Sequence, residues 1–363
     1  MNNNLMEVRT ALTTTTSNDW SGGTTLGGAE IQKRVQEMAV EAYNNKTDLA
    51  PLLKRVNTSQ LSYIWNVTKE TAAGSGLSNS SFGFYADGAG GTPAATAKAQ
   101  LYAIAKSYRT DYEVTGLMIA AGMGNQLSDE ARYAIESHAV GEERTIISGT
   151  DASAYGFANA FSGLLQLMGS YAALADTNAV YGTTRASGLT YVDVSVVLGG
   201  ATAADDLDLV DLDAAITASN KRGAKGHKRI FFCSEDRLDE ISQLLQAQQR
   251  FNSVGRQVEF DGGFVVLAYK RIPIVGSRFM DKNGVTYDGV NRTDTHADQA
   301  MYLLDLDNIM MVHVAGVNAT HVPILGDDAH QRYDVKGGYF KSYGVLVMKR
   351  FDTQVLICNL SDI

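Results

Sequence analysis

Three late histidines, His313, His321 and His330, stand with Asp327 and Asp328 as the residues whose types could hold a metal. Imidazole and carboxylate are the donors of a hydrolytic zinc centre that keeps one position open for water. Metal motifs usually set their ligands closer and more regularly than the eight- and nine-residue steps between these histidines. Isolated imidazoles on strands and loops fit that spacing better. His138 and Glu142, one helical turn apart, form a second constellation. They offer an acid and a base, but equally a polar helix face or a contact with another chain.

Cys233 and Cys358 sit inside the apolar runs IFFC and VLIC, with no histidine close in sequence, and read as buried reduced thiols on strands. The chain has no Gly-x-Ser-x-Gly elbow and no Gly-x-x-x-x-Gly-Lys-Ser/Thr phosphate loop. Gly88-Ala89-Gly90-Gly91 runs into Thr-Pro rather than a strand-fed helix, so it supplies backbone freedom, not a cradle. No catalytic, metal or cofactor-binding residue is assigned, no cofactor is expected, and the chain reads as a non-enzyme.

The 363 residues leave room for two domains or one elaborate one, and 45% hydrophobic with 20% charged residues suits a globular core. A net charge of −9 is a poor footprint for a protein that grips nucleic acid, which concentrates Lys and Arg. The N-terminus lacks the basic start and apolar core of a signal peptide, and no apolar run is long enough to span a bilayer. The chain therefore reads as soluble and intracellular, without a membrane partner.

Residues 1–27, rich in Thr, Asn and Gly, read as an extended arm. Ile31, Val35, Met38 and Ala42 then give one helical stripe. Leu61–Val67 and Leu101–Val114 read as strands flanking a long Gly/Ser/Asn-rich excursion. A loop of that length needs a task outside its own domain. A long helix is predicted from an N-cap at Ser128, with Asp129 and Glu130 in its first turn. Tyr191–Leu198 reads as a strand. Beyond a boundary near 201–205 come a helix over 211–218 stopped by Lys221-Arg222-Gly223, a strand over 229–233, and a helix capped by Ser234. Strands follow at 264–269 and 272–275. Two tight hairpins are expected, 301–306 with 309–314 and 344–351 with 354–360. The class is α+β.

The helix-to-turn unit is the most telling. Glu142-Glu143-Arg144-Thr145-Ile146-Ile147 runs into Ser148-Gly149-Thr150-Asp151, with Tyr155-Gly156-Phe157 close behind. In this order of elements the chain resembles Hong Kong 97-type (HK97-like) major capsid proteins of tailed phages. The resemblance implies an N-terminal arm over 1–56, an extended β-hairpin loop over 57–115 and a peripheral domain with the long backbone helix over 116–205. An axial domain over 206–316 and C-terminal strands over 317–363, returning to the peripheral and axial domains, would complete it.

It further implies a structural subunit forming hexamers and pentamers of an icosahedral shell, enclosing double-stranded DNA without sequence specificity. The partners would be other copies of the chain, a scaffolding protein, a portal and a decoration protein. The place would be the virion, after assembly in the host cytoplasm. Trp65, Phe82, Phe84 and Tyr85 are expected to dock on neighbouring subunits, with His138 and Glu142 as further contacts between subunits. Lys69 and Lys98 have no assignable partner, so no covalent cross-link is expected. Three alternatives stand beside this reading: an encapsulin-like nanocompartment shell, a metal-dependent hydrolase using His313, His321, Asp327, Asp328 and His330, and another structural protein such as a tail-tube subunit.

Overall fold

The computed structural model describes residues 42, 46–68, 98–120, 126–149, 160–168, 179–181, 183–184, 194–198, 206–249, 258–259, 265–280, 286–287, 290–291, 300–324, 335–358 and 360. The arm, nearly all of the first predicted helix, and Phe82, Phe84, Tyr85, Lys69, Asp327, Asp328 and His330 lie outside them.

The first strands come from short alternating or β-branched runs: β1 (Lys54–Thr58), β2 (Ser62–Thr68), β3 (Lys98–Ile104) and β4 (Lys106–Thr115). The single strand expected over 101–114 is split at Ala105. There the chain leaves the β2–β3 hairpin, whose register runs from Ser62↔Ile104 to Thr68↔Lys98. It then enters a different sheet, pairing Lys106 with Gly344. Two helices follow, α1 (Gly116–Ala120) and α2 (Gln126–Ser148). Ser128 is therefore an exposed residue inside the first turn of α2 and not its cap.

α2 ends where its chain must cross another at close range. Gly163 N–H donates to Gly149 O at 2.8 Å, and a Cβ on Gly163 would fall 2.6 Å from Gly149 N. Both positions lack side chains, so α3 (Leu164–Met168), buried throughout, can seat against the end of α2.

The rest of the chain supplies β5 (Ser195–Leu198), α4 (Leu209–Lys221), β6 (Arg229–Cys233) and α5 (Glu235–Gln249). Then come β7 (Ala268–Tyr269), β8 (Ile272–Gly276), β9 (Met301–Asp305) and β10 (Ile309–Val314). The last strands are β11 (Thr320–Ile324), β12 (Val335–Met348) and β13 (Val355–Cys358). α4 is entered through a capping box of Asp208 and Asp211 and left at Gly223, whose φ of 90° suits only glycine comfortably. The Ser234 hydroxyl oxygen accepts from Arg237 N–H at 3.3 Å, as expected for the cap of α5.

Two sheets organise these strands. One has five strands, in the order β1–β10–β12–β11, with β4 on the other side of β12. The second has six, in the order β7–β8–β6–β9–β13–β5. Both expected hairpins are overturned by this topology. β9 and β10 do not pair with each other: β9 pairs β6 and β13, while β10 pairs β1 and β12. β12 and β13 are likewise divided between the sheets. The segments 305–309 and 348–355 are side-by-side corners where the chain changes sheet. Runs such as MYLLD and IMMVHV are buried on both faces, so they carry no alternation that would fix a partner. The chain thus passes between sheets at 305–309, ahead of the boundary expected at 316, and β5 already belongs to the six-stranded sheet ahead of the one expected at 205.

The six-stranded sheet separates two cores. Phe231, Cys233, Met301, Leu303, Val355 and Ile357 face α4 and α5. Ile230, Phe232, Tyr302, Leu304, Leu356 and Cys358 face the large core shared with β10, β12 and the hairpin. Both cysteines are free and buried, one on each side of the sheet.

Candidate assembly interface and the buried polar cluster beneath it

The β2–β3 hairpin divides its side chains by strict alternation. Trp65, Val67, Leu101 and Ala103 turn inward to the large core. Ile64 and Tyr102, directly opposite one another, are 53% and 46% exposed, and beside them Ile104 is 51% exposed. The ribbon thus has one face sealed into the core, with Ile64, Tyr102 and Ile104 left open on the other.

This corrects the expectation for Trp65. Its ring is 9% exposed and meets Tyr181 edge-on, with centroids 4.9 Å apart. Tyr181 is itself fixed, donating its hydroxyl to Leu346 O and accepting from Met348 N–H. Trp65 therefore locks the hairpin to its own subunit. The outward residues are the even-numbered ones next to it. The alternation within LSYIWNV contained that signal, but it does not say which of two apolar faces is covered.

His138 and Glu142 are likewise internal, 0% and 3% exposed, and present no face to another chain. α2 lies against β4 and β12, so the polar stripe at this end of the helix meets polar groups of the sheet. His138 Nε2 lies 2.8 Å from Ser342 Oγ and Nδ1 3.1 Å from Thr110 Oγ1, with the Tyr108 ring 4.5 Å away. Ser342 Oγ already accepts from Ala319 N–H, leaving its proton for His138 Nε2. That pattern suits a neutral imidazole protonated on Nδ1. Glu142 Oε1 faces Arg55 Nη2 at 3.4 Å and His313 Nε2 at 3.8 Å.

Glu143 points elsewhere. Its carboxylate accepts from the backbone N–H groups of Leu49 (2.7 Å), Ala50 (2.8 Å) and Asp48 (3.3 Å). It thereby pins the turn that delivers the chain to β1. Burial pushes this carboxyl up to about 7 against the pull of those donors. Burial also lowers His138, His313 and His321 to about 4.

Of the expected metal constellation only His313 and His321 lie among the described residues, and each has other neighbours. His313 faces Glu142 inside the subunit, while His321 Nε2 lies 2.7 Å from Tyr112 OH and packs on Phe340. Among the described residues, His227, Asp305 and Asp307 are the group close enough to share an ion. Asp305 is already committed: it accepts from Asn308 Nδ2 and Asp307 N–H and lies 2.8 Å from His227 Nδ1. This network ties the corner between the sheets.

Residues 13–334 match the family model of the SU10 major capsid protein. No curated protein matches the sequence. Among solved structures, the chain is similar to the capsid asymmetric unit of cyanophage A-1(L), at 15% identity and TM-score 0.59, over 86% of this chain and 92% of that one. It is similar to the capsid of cyanophage P-SCSP1u, at 14% identity and TM-score 0.54, over 96% and 93%. It also shares its fold with the SrpI encapsulin of Synechococcus elongatus, at 11% identity and TM-score 0.53, over 86% and 87%. The structures establish a Hong Kong 97-type fold of mixed helix and sheet, which capsids and encapsulins share. The family match decides between them and sets aside the nanocompartment, hydrolase and tail-tube readings. The chain belongs to the SU10 major capsid protein family and is a structural subunit of a tailed-phage capsid.

Proposed function

We propose that the subunit assembles into hexamers and pentamers of an icosahedral shell around double-stranded DNA, using the outer face of the β2–β3 hairpin to dock on a neighbouring copy. The observation that carries this reading is the stripe of Ile64, Tyr102 and Ile104, left bare on a ribbon whose other face is sealed into its own core. Burying such side chains against a second copy is favourable by roughly 1–2 kcal/mol each. Head-to-tail contacts of this kind close into rings when the rotation permits. Phe82, Phe84 and Tyr85, between the two strands in sequence, would extend the same contact.

In this reading the five-stranded sheet with α2 forms the peripheral domain, and the six-stranded sheet with α4 and α5 forms the axial domain. The segment before β1 serves as the arm. A scaffolding protein, a portal and a decoration protein are the expected further partners, and assembly takes place in the host cytoplasm.

Negative-stain electron microscopy with sedimentation velocity tests the proposal, on the purified chain alone and coexpressed with the scaffolding candidate from its own genome. Closed shells or discrete hexamers and pentamers are expected. Monomers or dimers under both conditions would overturn it.

A further inference from the structure

The interface between α2 and the five-stranded sheet changes character along its length. Its first half is apolar, with Ala131, Ala134, Ile135 and Ala139 packed on Tyr112 and Phe340. At His138 and Glu142 ionisable groups enter it. Two imidazoles, His138 from the helix and His313 from β10, are both 0% exposed beside one carboxylate, Glu142, and one guanidinium, Arg55 from β1. Among the described residues the other groups facing them are uncharged: Thr110 and Tyr108 from β4 and Ser342 from β12.

His313 is the unusual member. Among the described residues neither of its ring nitrogens has a hydrogen-bond partner. β12 passes close under the ring, since a Cβ added at Gly344 would come within 3.0 Å of His313 Nδ1. That side has no room for water. Glu142 Oε1 stands 3.8 Å from His313 Nε2, beyond hydrogen-bond reach, and also faces Arg55. A proton on either imidazole, both fully buried, is therefore a charge placed out of contact with solvent, which a protein relieves by opening.

We propose that His138 and His313 form a proton-operated latch, which holds the C-terminal half of α2 on the sheet at neutral pH and releases it on acidification. The sign follows from linkage. Burial is the main cause lowering both imidazoles from 6.5 to about 4, with Arg55 adding to it and Glu142 opposing it. The docked state therefore binds fewer protons than the released state. Its stability is full above the ordinary histidine range and falls as pH drops toward 4. Helix release changes the subunit itself, so the latch acts whether or not the chain is assembled.

Hydrogen–deuterium exchange by mass spectrometry on the full chain, corrected for intrinsic rates, tests this at about pH 7.5 and about pH 4.5. The expected result is a loss of protection over residues 138–148 at least about tenfold greater than over α5. A His138→Gln/His313→Leu variant should keep α2 protected at the lower pH. Equal acid loss in that variant, or no selective loss in the wild type, would overturn the latch. If the variant fails to fold, deuteration at the imidazole C2 position of the wild-type chain reads each histidine's pKa directly. Values near 4 for both support the latch, and ordinary values sink it.

Discussion

Gln354 and Asp305 hold each other in both directions across the corner where the two sheets meet. The Asp305 N–H donates to Gln354 Oε1 at 2.7 Å, and Gln354 Nε2 donates back to Asp305 O at 3.3 Å. Both residues are 0% exposed. One chain turn leaves β9 for β10 here, and the other leaves β12 for β13, so the pair staples two adjacent crossings. Removing the side chain strands a buried donor and a buried acceptor, each of which costs about 1–3 kcal/mol. Gln354→Ala should therefore lower the unfolding free energy by about 2–4 kcal/mol in urea denaturation. A loss under about 0.5 kcal/mol would mean that water replaces the amide and the corner is open.

How far the sequence reveals this fold depends on whether a segment has one buried face or two. α4, α5 and β6 were legible because Gly223 and Ser234 mark the end of one helix and the start of the next and a single apolar stripe marks their cores, while the Asp208 start of α4 was missed. The two corners were not. Asp307-Asn308 and Asp352-Thr353 carry ordinary turn chemistry, but the strands around them are apolar on both sides, so local pattern suggests a hairpin where topology makes a crossing. His138 and Glu142 were legible as a pair on one helix face. Their partners Arg55, His313 and Ser342 are brought in from three strands scattered along the chain, and no local spacing encodes that. The hairpin face was half legible: alternation separates Ile64 from Trp65, but only packing against Tyr181 decides which points inward.

Glu143 titrates in the opposite sense to the histidines. Its folded-state value of about 7 lies above the ordinary 4.5, chiefly through burial, so the folded state binds the extra proton. The stability this group contributes is full below about 4.5 and is lost as pH rises through 7. Glu143→Gln removes the titration while leaving one oxygen for the 48–50 turn. The substitution should cost about 1–3 kcal/mol near pH 5 and less near pH 8, as measured by chemical denaturation at each pH. A cost that grows with pH would show that the three backbone donors outweigh burial and keep the carboxylate charged.

The turn between β7 and β8 places two residues with side chains in the left-handed region, Lys270 at φ 49° and Arg271 at φ 70°. Tyr269 pairs with Ile272 across it, so this is a two-residue hairpin turn of the kind that favours Asn-Gly. Lys270 gains from its ion pair with Asp213, whereas Arg271 is exposed. Arg271→Gly should raise stability by about 0.5–1 kcal/mol, and Arg271→Val should lower it by more than about 1 kcal/mol. Thermal unfolding of the two variants beside the wild type reads the difference. Equal melting temperatures would mean that the turn carries no strain.

Ile64 and Trp65 are neighbours in sequence with opposite duties, and substituting each separates assembly from folding. Ile64 is half exposed opposite Tyr102, so Ile64→Asp should change subunit stability by no more than about 0.5 kcal/mol. The same change places a charge in the proposed contact, and in a shell that contact recurs in every subunit. A penalty of even about 2 kcal/mol per contact is roughly a thirtyfold loss in each association step, and closure compounds it. Sedimentation should therefore show folded, unassembled Ile64→Asp subunits under conditions where the wild type forms shells. Trp65→Ala empties a site against Tyr181 and should cost about 3–5 kcal/mol in folding, seen as poor yield and a lowered melting temperature. Normal assembly by the Ile64→Asp subunit would remove the hairpin face from the interface. A stable, assembling Trp65→Ala subunit would show that the hairpin is held by its neighbours instead of by its own core.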